Sequence, residues 1–153
     1  MKKKIIIISS LVVLLCIVSL ILINNNKSKK IYLSDEFYGN GIFSEINSDK
    51  IDEYSNKTYL LFTYNNYCNF SSPCDKIFQK FSSNNNIEIL SISYAEFKKT
   101  KFVNEVKYAP SIILIKNNKI ITYLDAEKDS DLDKYQDVAA FTNWISDYIY
   151  IKK

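Results

Sequence analysis

The chain has 153 residues, of which 20 are basic and 17 acidic, and it contains no histidine. Catalytic Ser-His and Cys-His dyads and histidine-ligated metal sites are therefore excluded. The charge is divided unevenly: residues 1–30 hold six lysines and no acid, whereas residues 31–153 hold 14 lysines and all 17 acidic residues, a net charge of −3. This mildly acidic main segment argues against nucleic acid as a partner.

An apolar segment near the N-terminus predicts a transmembrane helix. Residues 5–23 are 19 consecutive uncharged residues, and as a helix of about 1.5 Å per residue they would span about 28 Å, close to the hydrocarbon thickness of a bilayer. A cleaved signal peptide is the rival interpretation, but the segment ends Leu22-Ile23-Asn24 without the small residues of a cleavage site. We therefore expect an uncleaved anchor, with Cys16 as a small apolar residue inside it.

The short, lysine-rich N-terminus predicts the orientation of the anchor. With residues 1–4 in the cytoplasm, the remainder of the chain would lie outside the membrane, where disulfide bonds persist. Residues 24–40 begin rich in Asn and Lys and predict a stalk, which leaves residues 41–153 as one domain. The predicted organisation is a single-pass membrane protein with an extracytoplasmic domain.

The pattern of apolar residues predicts the first elements of this domain. Ser48 is a good N-cap for a helix over 49–56. The run 58–64, which is apolar, β-branched or aromatic throughout, predicts a buried strand. After a polar loop over 65–72, Pro73 suits the first turn of a helix over 73–83. The apolar stripe of that helix consists of Cys74, Ile77, Phe78 and Phe81.

The next elements complete a sheet. A strand over 87–94 closes a strand–helix–strand unit, which requires a right-handed crossover and a parallel strand pair. Thr100 is expected to cap a short helix. Asn117-Asn118 predicts a hairpin turn between strands over 112–115 and 119–124, because Asn tolerates positive φ.

The C-terminal part is predicted to be an acidic loop over 125–133 followed by a helix over 135–151. The loop spacing Asp129-x-Asp131-x-Asp133 resembles the start of an EF-hand calcium loop, but the Gly and the distal Glu are missing, so we expect no metal site. Taken together, the elements indicate an α/β fold, a mixed sheet with helices on both faces. The inner face of the last helix is expected to comprise Val138, Phe141, Ile145, Tyr148 and Ile149.

Cys68 and Cys74 are the one pair of residues suited to covalent chemistry. Five residues separate them, so they can bond if the loop folds back. Cys74 would occupy the first helical turn, where unpaired N–H groups and the helix dipole lower the pKa of a thiol, and Cys68 would lie above it in a water-accessible loop. This arrangement suits thiol–disulfide exchange, whereas a structural disulfide and two inert thiols are the alternatives.

These features resemble the thioredoxin superfamily over roughly residues 42–150. An apolar strand leads to Tyr67-Cys68, Pro73-Cys74 opens a helix, and Pro110 heads a strand–turn–strand. The resemblance implies an α/β, thioredoxin-like three-layer fold with a mixed central sheet; the transmembrane helix predicted from the apolar segment would precede it. It also implies that Pro110 is cis and adjacent to both cysteines, and that Ala109 offers backbone groups to a partner peptide.

The chain departs from the family pattern at the motif, because the usual Cys-x-x-Cys is here Cys-x5-Cys. Aligning Pro73-Cys74 with the family puts Ser71 at the usual nucleophile position, and the acid that many thioredoxins bury in the preceding strand is absent from residues 60–62. Two functions remain open. One is an extracytoplasmic thiol–disulfide oxidoreductase that uses Cys68 and Cys74 on protein thiols, disulfides or a membrane redox partner, with no bound cofactor. The other is a redox-inert accessory or binding module, for instance in bacteriocin or protein export, with a structural disulfide.

Overall fold

The computed structural model describes residues 29–65 and 74–152 of the chain. The predicted anchor over 5–23 and the predicted loop position of Cys68 lie outside these residues. Within the two described segments, no helix combines the length and the apolar character needed to cross a bilayer.

A mixed sheet of five strands forms the centre of the described domain, in the order β1-β3-β2-β4-β5. Strand β3 pairs in parallel with both β1 and β2, while β4 runs antiparallel to β2 and to β5. The predicted parallel pair and the antiparallel hairpin are thus confirmed, and β1 is an edge strand that the sequence pattern did not predict. The strands are β1 (Phe43–Glu45), β2 (Thr58–Tyr64), β3 (Ile89–Ser93), β4 (Ser111–Lys116) and β5 (Lys119–Tyr123).

The central strand β2 coincides with the predicted strand over 58–64. Its first six residues are buried, as expected for a strand that is covered on both faces. The hairpin turn is confirmed as well, since Asn117 and Asn118 have φ values of 48° and 63°. Both values lie in the left-handed region that a two-residue hairpin turn requires.

Two helices cover one face of the sheet: α1 (Cys74–Asn85) and α3 (Val138–Ser146). The ring of Phe78 in α1 lies 5.1 Å from that of Phe62 in β2 and 4.8 Å from that of Phe141 in α3. These edge-to-face contacts between aromatic rings hold both helices against the central strand.

The opposite face of the sheet is covered by 3-10 helices. Tyr59 points to the other side of β2 from Phe62, because side chains alternate along a strand. Its ring lies 5.9 Å from that of Phe37 and 5.5 Å from that of Tyr54, two residues of 3-10 helices near the start of the domain. Helical segments therefore cover both faces, as predicted.

The packed domain begins earlier than the expected boundary at residue 41. Leu33 and Phe37, which we assigned to the stalk, are both buried in the core. Ser34 joins the start of β2, because its N–H donates to the Thr58 carbonyl at 2.8 Å and its side-chain oxygen accepts from the Thr58 N–H at 2.9 Å. The segment was predicted to be a stalk because it begins with polar residues, although Leu33 and Phe37 contribute apolar side chains to the core.

The short helix expected over 49–56 is a 3-10 helix, Ser48–Tyr54, and its N-cap position is Asn47. Ser48 is therefore inside the helix and the prediction that it is the cap was wrong. Its hydroxyl instead donates to the carboxylate of Glu96 at 2.7 Å.

The strand expected over 87–94 is shorter at both ends: it begins at Ile89, and Tyr94 already belongs to a helix of one turn, α2 (Tyr94–Phe97). Ser93 caps that helix by accepting a hydrogen bond from the Glu96 N–H at 3.3 Å. Thr100 precedes the 3-10 helix Lys101–Asn104 as expected, but its hydroxyl donates to the Phe97 carbonyl at 2.8 Å and makes no cap bond.

The C-terminal helix is also shorter than the prediction over 135–151. Part of the acidic segment forms a 3-10 helix, Asp129–Tyr135, and α3 begins only after Asp137, whose carboxylate accepts from the Ala139 N–H at 2.6 Å. After α3 the chain turns, so that the Tyr150 N–H donates to the Ile31 carbonyl at 3.0 Å. This pairing with the start of the domain replaces the last helical turn.

Candidate active site

Cys74 is the first residue of α1, and its side chain is only 3% exposed. The predicted apolar stripe of this helix is confirmed, because all four of its residues are buried against the sheet. Cys74 thus lies at the amino end of a helix whose inner face is fixed by packing.

The peptide bond between Ala109 and Pro110 is cis, as the resemblance implied. Pro110 directly precedes β4 and lines the same cavity as Cys74, so the structure brings these two predicted site residues together. Ala109 is partly exposed beside them. The loop is held by Ser111, whose hydroxyl donates to the Tyr108 carbonyl at 2.8 Å. Cys68, the other predicted site residue, lies outside the described residues, so its distance from Cys74 stays a prediction.

The cavity that joins Cys74 to Pro110 has a volume of about 460 Å³. It lies between α1 and the carboxyl ends of β1, β2 and β3, where a parallel sheet commonly opens a crevice. Among the described residues that line it, two are acidic and none is basic. The lining residues are Phe43, Glu45, Phe62, Tyr64, Asn65, Cys74, Asp75, Gln79, Ser91 and Pro110.

A hydrogen bond fixes the mouth of this cavity. The hydroxyl of Tyr64, at the end of β2, donates to a carboxylate oxygen of Glu45, at the end of β1, at 2.6 Å. This bond to a carboxylate, together with partial burial, raises the pKa of Tyr64 above its ordinary value. The ring of Phe62 lies 6.2 Å from that of Tyr64 and 5.9 Å from that of Phe43, so aromatic faces form one wall.

A buried tyrosine contacts the backbone of the cis-proline loop on the side of the protein core. The hydroxyl of Tyr135 lies 3.0 Å from the Pro110 carbonyl oxygen and 2.8 Å from the Leu124 carbonyl oxygen, and both are within reach of its proton. Burial raises the pKa of Tyr135 far above its ordinary value, which keeps the hydroxyl a neutral donor. Its ring packs edge-on against Phe78 of α1 at 5.8 Å, so it connects the proline loop to the helix that begins with Cys74.

Sequence reasoning missed four residues of this site: Glu45, Tyr64, Asp75 and Tyr135. Tyr64 is the last residue of the predicted strand over 58–64 and Asp75 lies in the first turn of the predicted helix over 73–83. Their nearness to Cys74 was a usable signal. Glu45 had none, because its strand has three residues and its place depends on pairing with β3. Tyr135 followed an acidic segment that looked solvated.

The acidic segment itself forms ion pairs with a lysine. Asp131 and Asp133 lie 3.4 Å and 3.2 Å from the ammonium of Lys134. In residues 29–65 and 74–152, there is no group of three or more acidic or cysteine side chains arranged to hold a metal ion.

No family model and no curated protein matches the chain. Among solved structures, a thioredoxin mutant from Halobacterium salinarum NRC-1 matches with a TM-score of 0.52 and 13% identity, covering 74% of this chain and 96% of that one. The domain has a thioredoxin-like fold. This confirms the architecture that the sequence resemblance implied, and at such low identity the likeness concerns the fold alone.

Two further thioredoxins are similar to the thioredoxin-like domain. The Schistosoma mansoni protein has 15% identity and a TM-score of 0.49, covering 71% of this chain and 97% of its own. Thioredoxin f2 of Chlamydomonas reinhardtii has 16% identity and a TM-score of 0.47, covering 69% of this chain and 98% of its own.

Proposed function

We propose that this chain is a thiol–disulfide oxidoreductase, tethered by residues 5–23, whose thioredoxin-like domain acts outside the membrane through Cys68 and Cys74. The observation that carries the proposal is the shared cavity of Cys74 and the cis Ala109–Pro110 bond. A thiol in the first turn of a helix is acidified by the unpaired N–H groups and the helix dipole, which favours the thiolate that exchange chemistry requires.

The exchange would proceed in two displacements. The Cys68 thiolate attacks one sulfur of a substrate disulfide, forming a mixed disulfide while the other substrate sulfur leaves as a thiolate and takes a proton from water. The Cys74 thiolate then attacks the Cys68 sulfur and releases the second substrate thiol. The products are a Cys68–Cys74 disulfide and a dithiol substrate, so two electrons pass to the substrate; the reverse sequence oxidises a dithiol.

Ala109 and Pro110 would hold the partner polypeptide during these steps. The backbone of a partly exposed loop can pair with an extended peptide, and hydrogen bonds of this kind supply affinity without depending on the peptide's side chains. The partner's sulfur would then lie over the cavity that Cys74 lines.

Trapping of mixed disulfides tests the proposal in the full chain. In Cys74→Ser the second displacement is lost, so substrate proteins should accumulate on Cys68 and be released by a reductant. The matched control, the double variant Cys68→Ser with Cys74→Ser, should trap nothing. If Cys74→Ser traps no species and the wild type reduces no model disulfide, the redox proposal is wrong and a redox-inert accessory module is the function left.

Topology is tested with a maleimide that cannot cross membranes. In a Cys16→Ala background, Cys68 should be labelled on intact cells after reduction, whereas Cys74 is buried and should react only when the protein is unfolded. Without the reductant, labelling of Cys68 should be blocked if the pair is oxidised. Labelling only after cell lysis would put the domain in the cytoplasm and contradict the proposed location.

A further inference from the structure

We propose that the cavity beside Cys74 is a subsite for the cationic side chain, lysine or arginine, of a partner polypeptide. The inference deepens the proposed function by giving a substrate class. It rests on that function only in assuming that the partner carries a sulfur that reacts at this site. The binding preference itself can be measured without any exchange reaction.

The size and walls of the cavity suit a long side chain with an apolar stem. Its volume of about 460 Å³ is near the lower end of ordinary ligand pockets, which hold roughly 300–1,000 Å³. The rings of Phe43, Phe62 and Tyr64 form an aromatic wall. Lysine and arginine lay their methylene stems along such surfaces and leave the charged group at a polar rim.

The charge of the cavity favours a side chain that ends in a cationic group. Glu45 and Asp75 both line it, whereas none of the 20 lysines of the chain is among its described lining residues. A cationic group entering here therefore meets two carboxylates without a competing basic side chain in the lining.

Glu45 is held in a position to accept a further hydrogen bond. The hydroxyl of Tyr64 donates to one of its carboxylate oxygens at 2.6 Å, and a carboxylate has about four lone-pair sites. The carboxylate is thereby oriented while acceptor capacity remains for an ammonium or guanidinium group. The same ring of Tyr64 offers a face for cation–π contact.

The position of the subsite determines where the cation lies in the partner. Cys74 and Pro110 line the same cavity, so a partner whose backbone runs along Ala109 and Pro110 would insert a side chain close to its own reacting sulfur. The expected substrates carry lysine or arginine within one or two residues of the cysteine.

Peptides whose sulfur cannot exchange test the subsite. The probe is a blocked pentapeptide amide, Gly-Lys-X-Lys-Gly with S-methylcysteine as X, and its twin carries norleucine in place of both lysines. Binding is measured to the full chain in nanodiscs of zwitterionic phosphatidylcholine. We expect the lysine peptide to bind about threefold to tenfold more tightly at low salt, since exposed ion pairs are individually weak.

The control variants separate the cavity from the general charge of the domain. Glu45→Gln with Asp75→Asn should abolish the preference for lysine, whereas Asp52→Asn, an exposed acid in the 3-10 helix on the opposite face, should retain it. If the double variant does not fold, the single variants Glu45→Gln and Asp75→Asn still decide, because each removes the same charge as Asp52→Asn and only the two cavity changes should reduce the preference for lysine.

Equal binding of the two peptides to the wild type would overturn the subsite, and so would a preference that survives in the folded double variant. The trapping experiment with Cys74→Ser reports the redox function separately. A lysine preference without trapping would leave the subsite standing and the redox proposal wrong, and trapping without a preference would do the reverse.

Discussion

The hydroxyl of Tyr135 lies 3.0 Å from the carbonyl oxygen of Pro110, and this contact joins an acidic 3-10 helix to the cis-proline loop. Tyr135 is completely buried and also reaches the Leu124 carbonyl at 2.8 Å. The geometry beside Cys74 therefore depends on a residue about 60 positions further along the chain.

Tyr135→Phe should lower the free energy of unfolding by about 1–3 kcal/mol, because two buried carbonyl groups lose their donor while the ring remains. The measurement is chemical denaturation of the full chain in detergent micelles. Tyr123→Phe is the matched control, since that hydroxyl makes a longer contact of 3.4 Å with Glu105 near the surface. Similar losses in both variants would contradict the role of Tyr135.

Acid should weaken the domain through Glu96. Its carboxylate accepts hydrogen bonds from the Lys99 ammonium and from the Ser48 hydroxyl and N–H, and these lower its pKa from 4.5 to about 2. Because the folded-state pKa is below the unfolded value, the stabilisation is complete above about pH 4.5 and is lost as the pH falls to 2.

Glu96→Gln should accordingly be less stable than the wild type at neutral pH, and the difference should close between about pH 4.5 and 2. Denaturation midpoints over that range, with a carboxyl titration by NMR, provide the measurement. Ser48→Ala removes one hydrogen-bond donor to Glu96 and keeps the carboxylate, so the stabilisation by Glu96 should be lost at a higher pH than in the wild type. A gap that is constant with pH would count against this account.

The hairpin turn should favour glycine at residue 118. Asn118 has a φ of 63°, and among the described residues its buried side-chain oxygen has no hydrogen-bond partner. Asn118→Gly removes that buried acceptor and adopts positive φ without steric cost, so stability should stay the same or rise. Asn118→Ala should instead lower the free energy of unfolding by about 1 kcal/mol, because alanine is strained at this φ. The order of the two denaturation midpoints checks the prediction.

Gly41 permits a close approach between the start of the sheet and α1. A methyl group on its Cα would lie 2.6 Å from the Ser83 Cα and 2.7 Å from the Ser82 carbonyl oxygen, which are backbone atoms that cannot rotate away. Gly41→Ala should therefore lower the free energy of unfolding by about 1–3 kcal/mol. Asn40→Ala, at the exposed neighbouring position, should change it little, and equal effects of the two changes would contradict the clash.

Elements whose buried residues follow a regular spacing along the chain were predictable from the sequence. The strand over 58–64 consists of apolar, aromatic and β-branched residues because both of its faces are covered, and α1 repeats its buried residues with helical spacing. The turn at Asn117 needed only the known tolerance of Asn for positive φ. The cis state of Pro110 came from the family resemblance.

Features that depend on contacts between distant segments were not predictable. Strand β1 is too short to show a pattern and exists through its pairing with β3. The last helix stops at Ser146 because the residues after it pair with Ile31, which no local rule indicates. The acidic wall of the cavity was missed for the same reason, since Glu45 arrives there on β1.

The bonds between Ser34 and Thr58 determine at which end of β2 the start of the described chain joins the sheet. They fasten the incoming chain to the amino end of β2, whereas Tyr64 and the cavity lie at its carboxyl end, about 20 Å away along the strand. If residues 5–23 span the bilayer and the amino end of β2 faces it, the cavity lies on the side of the domain that is turned away from the lipid. Encounters there would be with proteins diffusing through the surrounding solution, in preference to neighbours moving sideways within the bilayer.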